Sequence, residues 1–257
     1  MALSRGLLVV ATGSRYLEEA SRNLRASKPF LSGLPTVVFT DLPDQAKEMG
    51  VFDQVFRHAS PVGGYRDKIL PLLNLPFQQT LYLDSDTRIL APIKDIFDSA
   101  SNSHFAAAHA PVRKPSGWND EAIPSIFPEF NSGVILLRRS FRQRLLIKRW
   151  LRLYDHLALN RGQTWDQASL RSALWWMITH TYLRVCVLPS EANLRITKPW
   201  IAGKGISVYI LHGRIPEAEM SEFLHYLNSE IGCFRTWSDW LHKHPDSMIR
   251  PKLPPYP

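Results

Sequence analysis

The chain has 257 residues, and 45% of them are hydrophobic, enough for a buried core and too many for a disordered or low-complexity segment. Its 31 Lys and Arg outnumber 23 Asp and Glu, and the formal charge of +8 favours an anionic partner without choosing among nucleotide, phosphorylated substrate, membrane surface and nucleic acid. No apolar run reaches membrane length, no leader peptide is evident in the first eleven residues, and Cys186 and Cys233 match no metal spacing and read as reduced thiols. The expectation is a soluble cytoplasmic protein with room for peripheral contact with an anionic membrane.

In chain order, an apolar run over 7–11 predicts a first strand, and Thr12-Gly13-Ser14-Arg15 turns it into a helix over 16–27. A second buried strand over 35–40 ends at Asp41; a short helix over 44–49 and a small strand at 55–56 follow. Gly63-Gly64 breaks the chain ahead of a helix over 66–73, which carries Asp67 and Lys68 near its start. The strand over 80–83 runs into Asp84-Ser85-Asp86, after which 89–93 crosses over to a helix at 94–99. The stretch 104–109 reads as a buried strand, and 111–128, with Pro, Gly, Ser and Trp, as a surface loop near the site. Asn131-Ser132-Gly133 then leads into a strand over 134–137. Ser140 is placed to cap a long helix over 141–157, and Thr164 or Asp166 to cap a second over 163–179, which carries Trp175 and Trp176 as core. A strand over 184–188, a Gly-broken loop over 199–205 and a strand over 208–211 deliver His212-Gly213-Arg214. The tail from 216 is partly helical and ends in a Pro-rich run over 251–257. Alternating strands and helices give an α/β class with a mostly parallel sheet: one domain over 1–215 with 216–257 as an appendage.

Asp84 and Asp86 stand at i, i+2, which in extended backbone aims both carboxylates to one side, at the sheet edge where open α/β folds bind ligands. A turn explains Asp-Ser-Asp equally well on spacing alone. Two convergent carboxylates call for a divalent cation, Mg²⁺ or Mn²⁺, and a histidine in the shell favours Mn²⁺. His212 at a later strand end is a candidate third ligand, with Arg214 beside it for a diphosphate. Asn131 and Ser132 offer an amide and a hydroxyl for sugar hydroxyls; Asp166 is either a helix cap or a sugar ligand, with Gln167 next to it. Arg142, Arg144, Lys148, Arg149 and Arg152 put a basic face on one helix, a solvated face by default and a surface for anionic lipid or a phosphorylated acceptor otherwise.

These motifs in this order, over roughly 7–214, make the chain resemble the retaining GT-A glycosyltransferases, the group that includes glycogenin and bacterial lipopolysaccharide galactosyltransferases. The resemblance implies a GT-A, Rossmann-like, mostly parallel central sheet flanked by helices, a nucleotide-diphosphate sugar donor, and an acceptor glycan or glycolipid, with no nucleic acid expected. It places Mn²⁺ or Mg²⁺ on Asp84, Asp86 and His212. The donor side would be Thr12, Gly13, Asp41, Lys68, Ser85, Asn131, Ser132 and Arg214, and the catalytic set Asp166, Gln167 and Lys68. Two departures stand out: Gly13-Ser14-Arg15 lacks the family's early acidic residue, and Lys198-Pro199-Trp200 precedes the histidine instead of following it, which shifts the phosphate role to Arg214 or Lys204. The rival readings are a sugar-nucleotide pyrophosphorylase and a non-catalytic anion-binding protein.

Overall fold

The computed structural model describes residues 4–110, 120–198, 201–203, 206–227 and 242–247. In order these are β1 (Arg5–Val10), α1 (Ser14–Ser27), β2 (Thr36–Thr40), α2 (Pro43–Glu48), β3 (Gln54–Arg57), α3 (Arg66–Ile69), β4 (Gln79–Leu83), β5 (Thr87–Ile89), α4 (Lys94–Ser99) and β6 (Phe105–His109). There follow β7 (Phe130–Arg138), α5 (Phe141–Arg161), α6 (Asp166–His180), β8 (Val185–Leu188), β9 (Leu194–Arg195), β10 (Ile210–His212) and α7 (Glu217–Leu227).

Seven strands form one sheet in the order β3-β2-β1-β4-β7-β6-β8. Every pairing is parallel except those of β7, which runs antiparallel to both β4 and β6. Strand alternation builds a core on each face. Leu7, Val9, Leu81 and Leu83 pack with α1 and α4, whereas Leu8, Val10 and Tyr82 pack with Trp150 of α5 and Leu170 of α6. Both faces are covered, which is why these strands read as continuous apolar runs.

Two boundaries differ from expectation in ways that matter. Asn131, Ser132 and Gly133 lie inside β7, not before it, because the pairing of Leu83 with Val134 continues into a hydrogen bond from the Asp84 N–H to the Gly133 carbonyl at 2.8 Å. The expected crossover over 89–93 begins instead as β5, which pairs antiparallel with β10; β10 pairs in turn with β9 to give a second sheet of three strands. Beneath it Leu194, Leu211, Met220 and Phe223 form a separate apolar cluster that seats α7.

Ser140 caps α5 as expected, its Oγ accepting from the Gln143 N–H at 3.0 Å, and Gly162 ends the helix at φ 61°. Neither Thr164 nor Asp166 caps α6; Trp165 holds that position without a side-chain bond. Asp166 is the first helical residue and its carboxylate is drawn to Lys68. The turn is held by Trp150, fully buried, whose Nε1 donates to the Asp166 carbonyl at 3.0 Å and to Ser169 Oγ at 3.1 Å. Trp175 and Trp176 are half-buried: Trp175 packs edge-on against Phe127, and Trp176 is sandwiched between Arg149 and His180. Among the described residues no helix is long and apolar enough to cross a membrane.

Candidate functional site

A cavity of about 380 Å³ opens at the carboxyl ends of β1 and β4. Thr12, Lys68, Asp84, Ser85, Asp86, Asn131, Ser132, Asp166, Gln167, His212 and Arg214 all line it. Gly13 and Asp41 do not. Asp41 Oδ1 accepts the Gly13 N–H at 2.8 Å, so this pair shapes the β1–α1 turn behind Thr12. Cys186 is free, Lys198 is half-buried, and Pro199, Trp200, Lys204 and Cys233 lie outside the described residues, as does the loop over 111–119.

The segment after β4 is both a turn and a convergence of carboxylates. Thr87 closes it, its N–H and Oγ1 donating to the Asp84 carbonyl at 3.1 and 2.7 Å. Four more bonds anchor it: Asp84 N–H to the Gly133 carbonyl, Gly213 N–H to the Asp86 carbonyl, Asn23 Nδ2 to the Ser85 carbonyl, and Ser85 Oγ to Glu19. Within that frame Asp84, Asp86 and His212 each offer one ligand atom, all within 4.8 Å of one another. His212 Nε2 lies 3.4 Å from Asp86 Oδ1 and 3.9 Å from Asp84 Oδ2.

His212 reaches this position because Gly133 has no side chain. A Cβ there would stand 2.1 Å from His212 Cε1 and 2.9 Å from Asp84 Oδ2. Asn193 fixes the ring from behind, with Oδ1 2.8 Å from Nδ1. An amide oxygen only accepts, so Nδ1 carries the proton and Nε2 keeps its lone pair toward the carboxylates. Two carboxylates and one imidazole nitrogen, oriented this way, fit Mn²⁺ or Mg²⁺. Burial pushes Asp86 upward, but the bond and charge of His212 in its protonated form, with Arg214 and Arg195, outweigh it and hold the carboxyl well below its usual range; a bound cation would take the place of that Nε2 proton.

Lys68 bridges the two halves of the cavity. Its Nζ lies 3.0 Å from Asp166 Oδ2, 3.3 Å from Asp84 Oδ1 and 3.0 Å from Ser132 Oγ. Burial lowers its pKa, but Asp166 and Asp84 more than reverse this, and the net shift is upward. The ammonium is therefore charged throughout the physiological range. Arg214 extends from the other side, paired to Glu19 at 2.7 and 2.9 Å and 3.6 Å from Asp86.

Several residues here carry no motif. Tyr82, one turn of the pleat before Asp84, donates its hydroxyl to Asp84 Oδ1 at 2.6 Å. Asp67 accepts from Thr12 Oγ1 and from the N–H groups of Val62 and Gly63, pinning the Gly63-Gly64 segment against β1. Glu19 joins Ser85 to Arg214. Glu129 accepts from Gln167 Nε2 at 3.1 Å. No pattern in the sequence singled these out: Glu19, Asn23, Glu129 and Asn193 are polar residues whose burial only the fold reveals. Tyr16, Tyr65, Trp165 and Arg195 also line the cavity.

No protein-family model matches the sequence, and no curated protein matches it by sequence. Solved structures do match in fold. Mouse xyloside xylosyltransferase 1, apo form, is 18% identical with a TM-score of 0.53, over 82% of this chain and 99% of that one. The glycosyltransferase GlyE of Streptococcus pneumoniae TIGR4 is 15% identical with a TM-score of 0.56, over 97% of this chain and 66% of that one. The galactosyltransferase LgtC, in complex with donor and acceptor sugar analogs, is 14% identical with a TM-score of 0.55, over 93% of this chain and 99% of that one. With its seven-stranded, mostly parallel sheet and an Asp-x-Asp turn at the sheet's carboxyl edge, the chain has the GT-A fold of glycosyltransferases.

Proposed function

We propose that this protein is a metal-dependent glycosyltransferase that moves a sugar of the hexosyl type from a nucleotide-diphosphate donor to an acceptor hydroxyl, with retention at the anomeric carbon. The observation that carries the reading is the convergence of Asp84, Asp86 and His212, from strands far apart in sequence, beside Lys68 and Arg214. Asp84, Asp86 and His212 would hold Mn²⁺ or Mg²⁺, which when bound neutralises charge on the diphosphate. Thr12, Ser85 and Arg214 form the nucleotide side, with Gly13 and Asp41 shaping the turn behind Thr12. Asn131, Ser132, Asp166 and Gln167 form the sugar side.

The chemistry follows from these charges. The bond between the anomeric carbon and the diphosphate oxygen breaks, leaving an oxocarbenium-like centre and an anionic leaving group. Lys68 and Arg214 stabilise the charge that develops there. The acceptor oxygen forms the new bond on the same face, and its proton passes to the departing phosphate oxygen. Asp166 is 1% exposed and ion-paired to Lys68, so it serves as an electrostatic partner and not as a free nucleophile, which supports front-face transfer. The N-terminal 215 residues form the catalytic unit in this reading, with the remainder as an appendage.

Titration of a nucleotide-sugar panel with and without Mn²⁺ tests the proposal. Metal-dependent donor hydrolysis, reduced about 10²–10³-fold in Asp84→Ala and Asp86→Ala, is the expected result. Pyrophosphate-dependent nucleotide-sugar synthesis would favour the pyrophosphorylase, and anion binding without turnover the non-catalytic alternative. Proton NMR of the first-formed product reads the anomeric configuration, and inversion would overturn retention.

A second proposal concerns the acceptor side. Arg144, Lys148 and Arg152 repeat every four residues along the outer face of α5, none in an ion pair among the described residues, with Phe141 80% exposed at one end and Leu159 85% exposed at the other. This strip fits an anionic bilayer surface, as a glycolipid acceptor would require. Sedimentation with phosphatidylglycerol vesicles, lost in the Arg144→Glu/Lys148→Glu/Arg152→Glu variant and at high salt, is expected; salt-independent binding would refute it.

A further inference from the structure

We infer that Glu129 is a positioning residue: it holds the Gln167 amide by its nitrogen, so that the Gln167 carbonyl oxygen is the end presented to the cavity. The consequence for turnover rests on the transferase reading above; the contact itself does not.

Gln167 lines the cavity, and its Nε2 donates to Glu129 Oε1 at 3.1 Å. Both side chains are buried, Glu129 1% exposed and Gln167 5%. Glu129 itself stands behind the cavity wall and is held on both sides. Its carbonyl accepts the Ala110 N–H at 2.7 Å, which ties it to the end of β6. The segment preceding it is clamped by Arg171, which donates to the Phe127 carbonyl at 3.1 and 3.0 Å and to the Pro124 carbonyl at 2.8 Å. Glu129 Oε2 is buried with no hydrogen-bond partner. A carboxyl left half-satisfied in the interior destabilises the fold relative to an apolar residue of similar shape, so packing alone does not account for it.

A carboxylate accepts only, and it can hold Gln167 solely through the amide nitrogen. A protonated carboxyl can donate its O–H, and the Gln167 amide, flipped end for end, then offers its oxygen to Glu129 and its nitrogen to the cavity. The ionised carboxylate thus fixes the acceptor end of Gln167 toward the sugar side, and one proton on Glu129 lifts that constraint. An oxocarbenium-like centre is stabilised by the oxygen and opposed by the N–H group. Burial raises the Glu129 carboxyl to about 7, against the opposing pull of the Gln167 bond and the Arg171 charge; Asp166 adds to the rise. Of the other titratable groups near this wall, His109 of β6 lies edge-on against Phe130, next to Glu129 in the chain.

The test has two independent arms. In the first, the Gln167 side-chain amide is followed by ¹H–¹⁵N NMR without donor, its signals identified by their loss in Gln167→Glu. The amide is expected to titrate near pH 7 in the wild type and not in Glu129→Gln. A pH-invariant Gln167 amide in the wild type overturns the inference whatever the turnover. In the second arm, donor hydrolysis is measured from pH 6 to pH 8 at saturating Mn²⁺. Wild-type kcat should rise about tenfold as Glu129 ionises, and the rise should vanish in Glu129→Gln. Glu129→Leu should lower kcat roughly 10²-fold with the nucleotide Kd unchanged. An unaltered pH limb in Glu129→Gln, or wild-type kcat in a folded Glu129→Leu, also overturns the inference. A titrating amide in a protein that turns over no nucleotide sugar would sink the transferase reading and leave this contact standing.

Discussion

Asn193 is absent from the cavity lining, yet it decides which nitrogen of His212 faces Asp84 and Asp86. Removing a bond of this kind behind a metal-ligating histidine typically lowers affinity about 10–100-fold. Asn193→Ala should weaken Mn²⁺ binding by that factor in calorimetric titration, whereas Asn193→Asp, still an acceptor, should retain it; equal loss in both would refute the tautomer argument. Gly133→Ala makes a sharper case. Its Cβ would fall 2.1 Å from His212 Cε1, and both residues are buried, Gly133 in β7 held by its own sheet and His212 in β10 held by the other. Mn²⁺ binding should fall at least tenfold while the circular dichroism spectrum stays native. Asp84, Asp86, His212 and Lys68 were legible as candidates because each is an ionisable residue near an apolar strand. Glu19, Glu129 and Asn193 were not, since a polar residue acquires meaning only when tertiary packing buries it beside a particular partner.

At the scale of the element, α6 shows how a site is aimed from outside it. Sequence reasoning gave its start a side-chain cap; the structure substitutes Trp150 of α5, buried and bonded to the Asp166 carbonyl and Ser169. Trp150 therefore locks the turn that presents Asp166 and Gln167 to the cavity. Trp150→Ala should cost about 3–5 kcal/mol in urea unfolding. Trp150→Phe, which keeps an aromatic ring but loses the N–H and part of the volume, should cost less and still lower donor hydrolysis; unchanged hydrolysis would show that the bond does not aim α6. The strands β1, β2 and β4 were readable from apolar runs alone. The reversal of β7 was not, because a buried antiparallel strand and a buried parallel one share the same hydrophobic pattern. Of the second sheet only β10 was read, within the apolar run over 208–211; β5 and β9, of three and two residues, leave almost no period to read.

Across the whole molecule, the buried titratable groups oppose each other in their effect on stability. Asp86 has a depressed folded-state pKa, so its contribution is present above the unfolded carboxylate pKa and is lost as pH falls through the folded value. Glu129 is the reverse. Its folded-state pKa is raised from 4.5 to about 7, so the folded form binds the proton more tightly and stability declines as pH rises across that window. The shift corresponds to a decline on the order of 3 kcal/mol. Urea denaturation of the wild type and Glu129→Gln at pH 5 and pH 8 should show this decline in the former only; parallel curves would contradict it. The pH that favours the carbonyl end of Gln167 is thus the pH at which the fold is less stable, a conflict expected where function holds a charge in the interior.

The small sheet links the two ends of the fold. His212 of β10 registers with Thr87 of β5, immediately after the acidic turn, and the Gly213 N–H bonds the Asp86 carbonyl at 2.9 Å. Three strands this short have little stability of their own. A cation shared by the turn and β10 adds its binding free energy to that closure, about 2.7 kcal/mol at a hundred times the Kd. The protease lifetime of the chain after β9 becomes a measure of divalent-ion occupancy: at limiting protease, Mn²⁺ should slow cleavage there up to roughly a hundredfold in the wild type and not in His212→Ala.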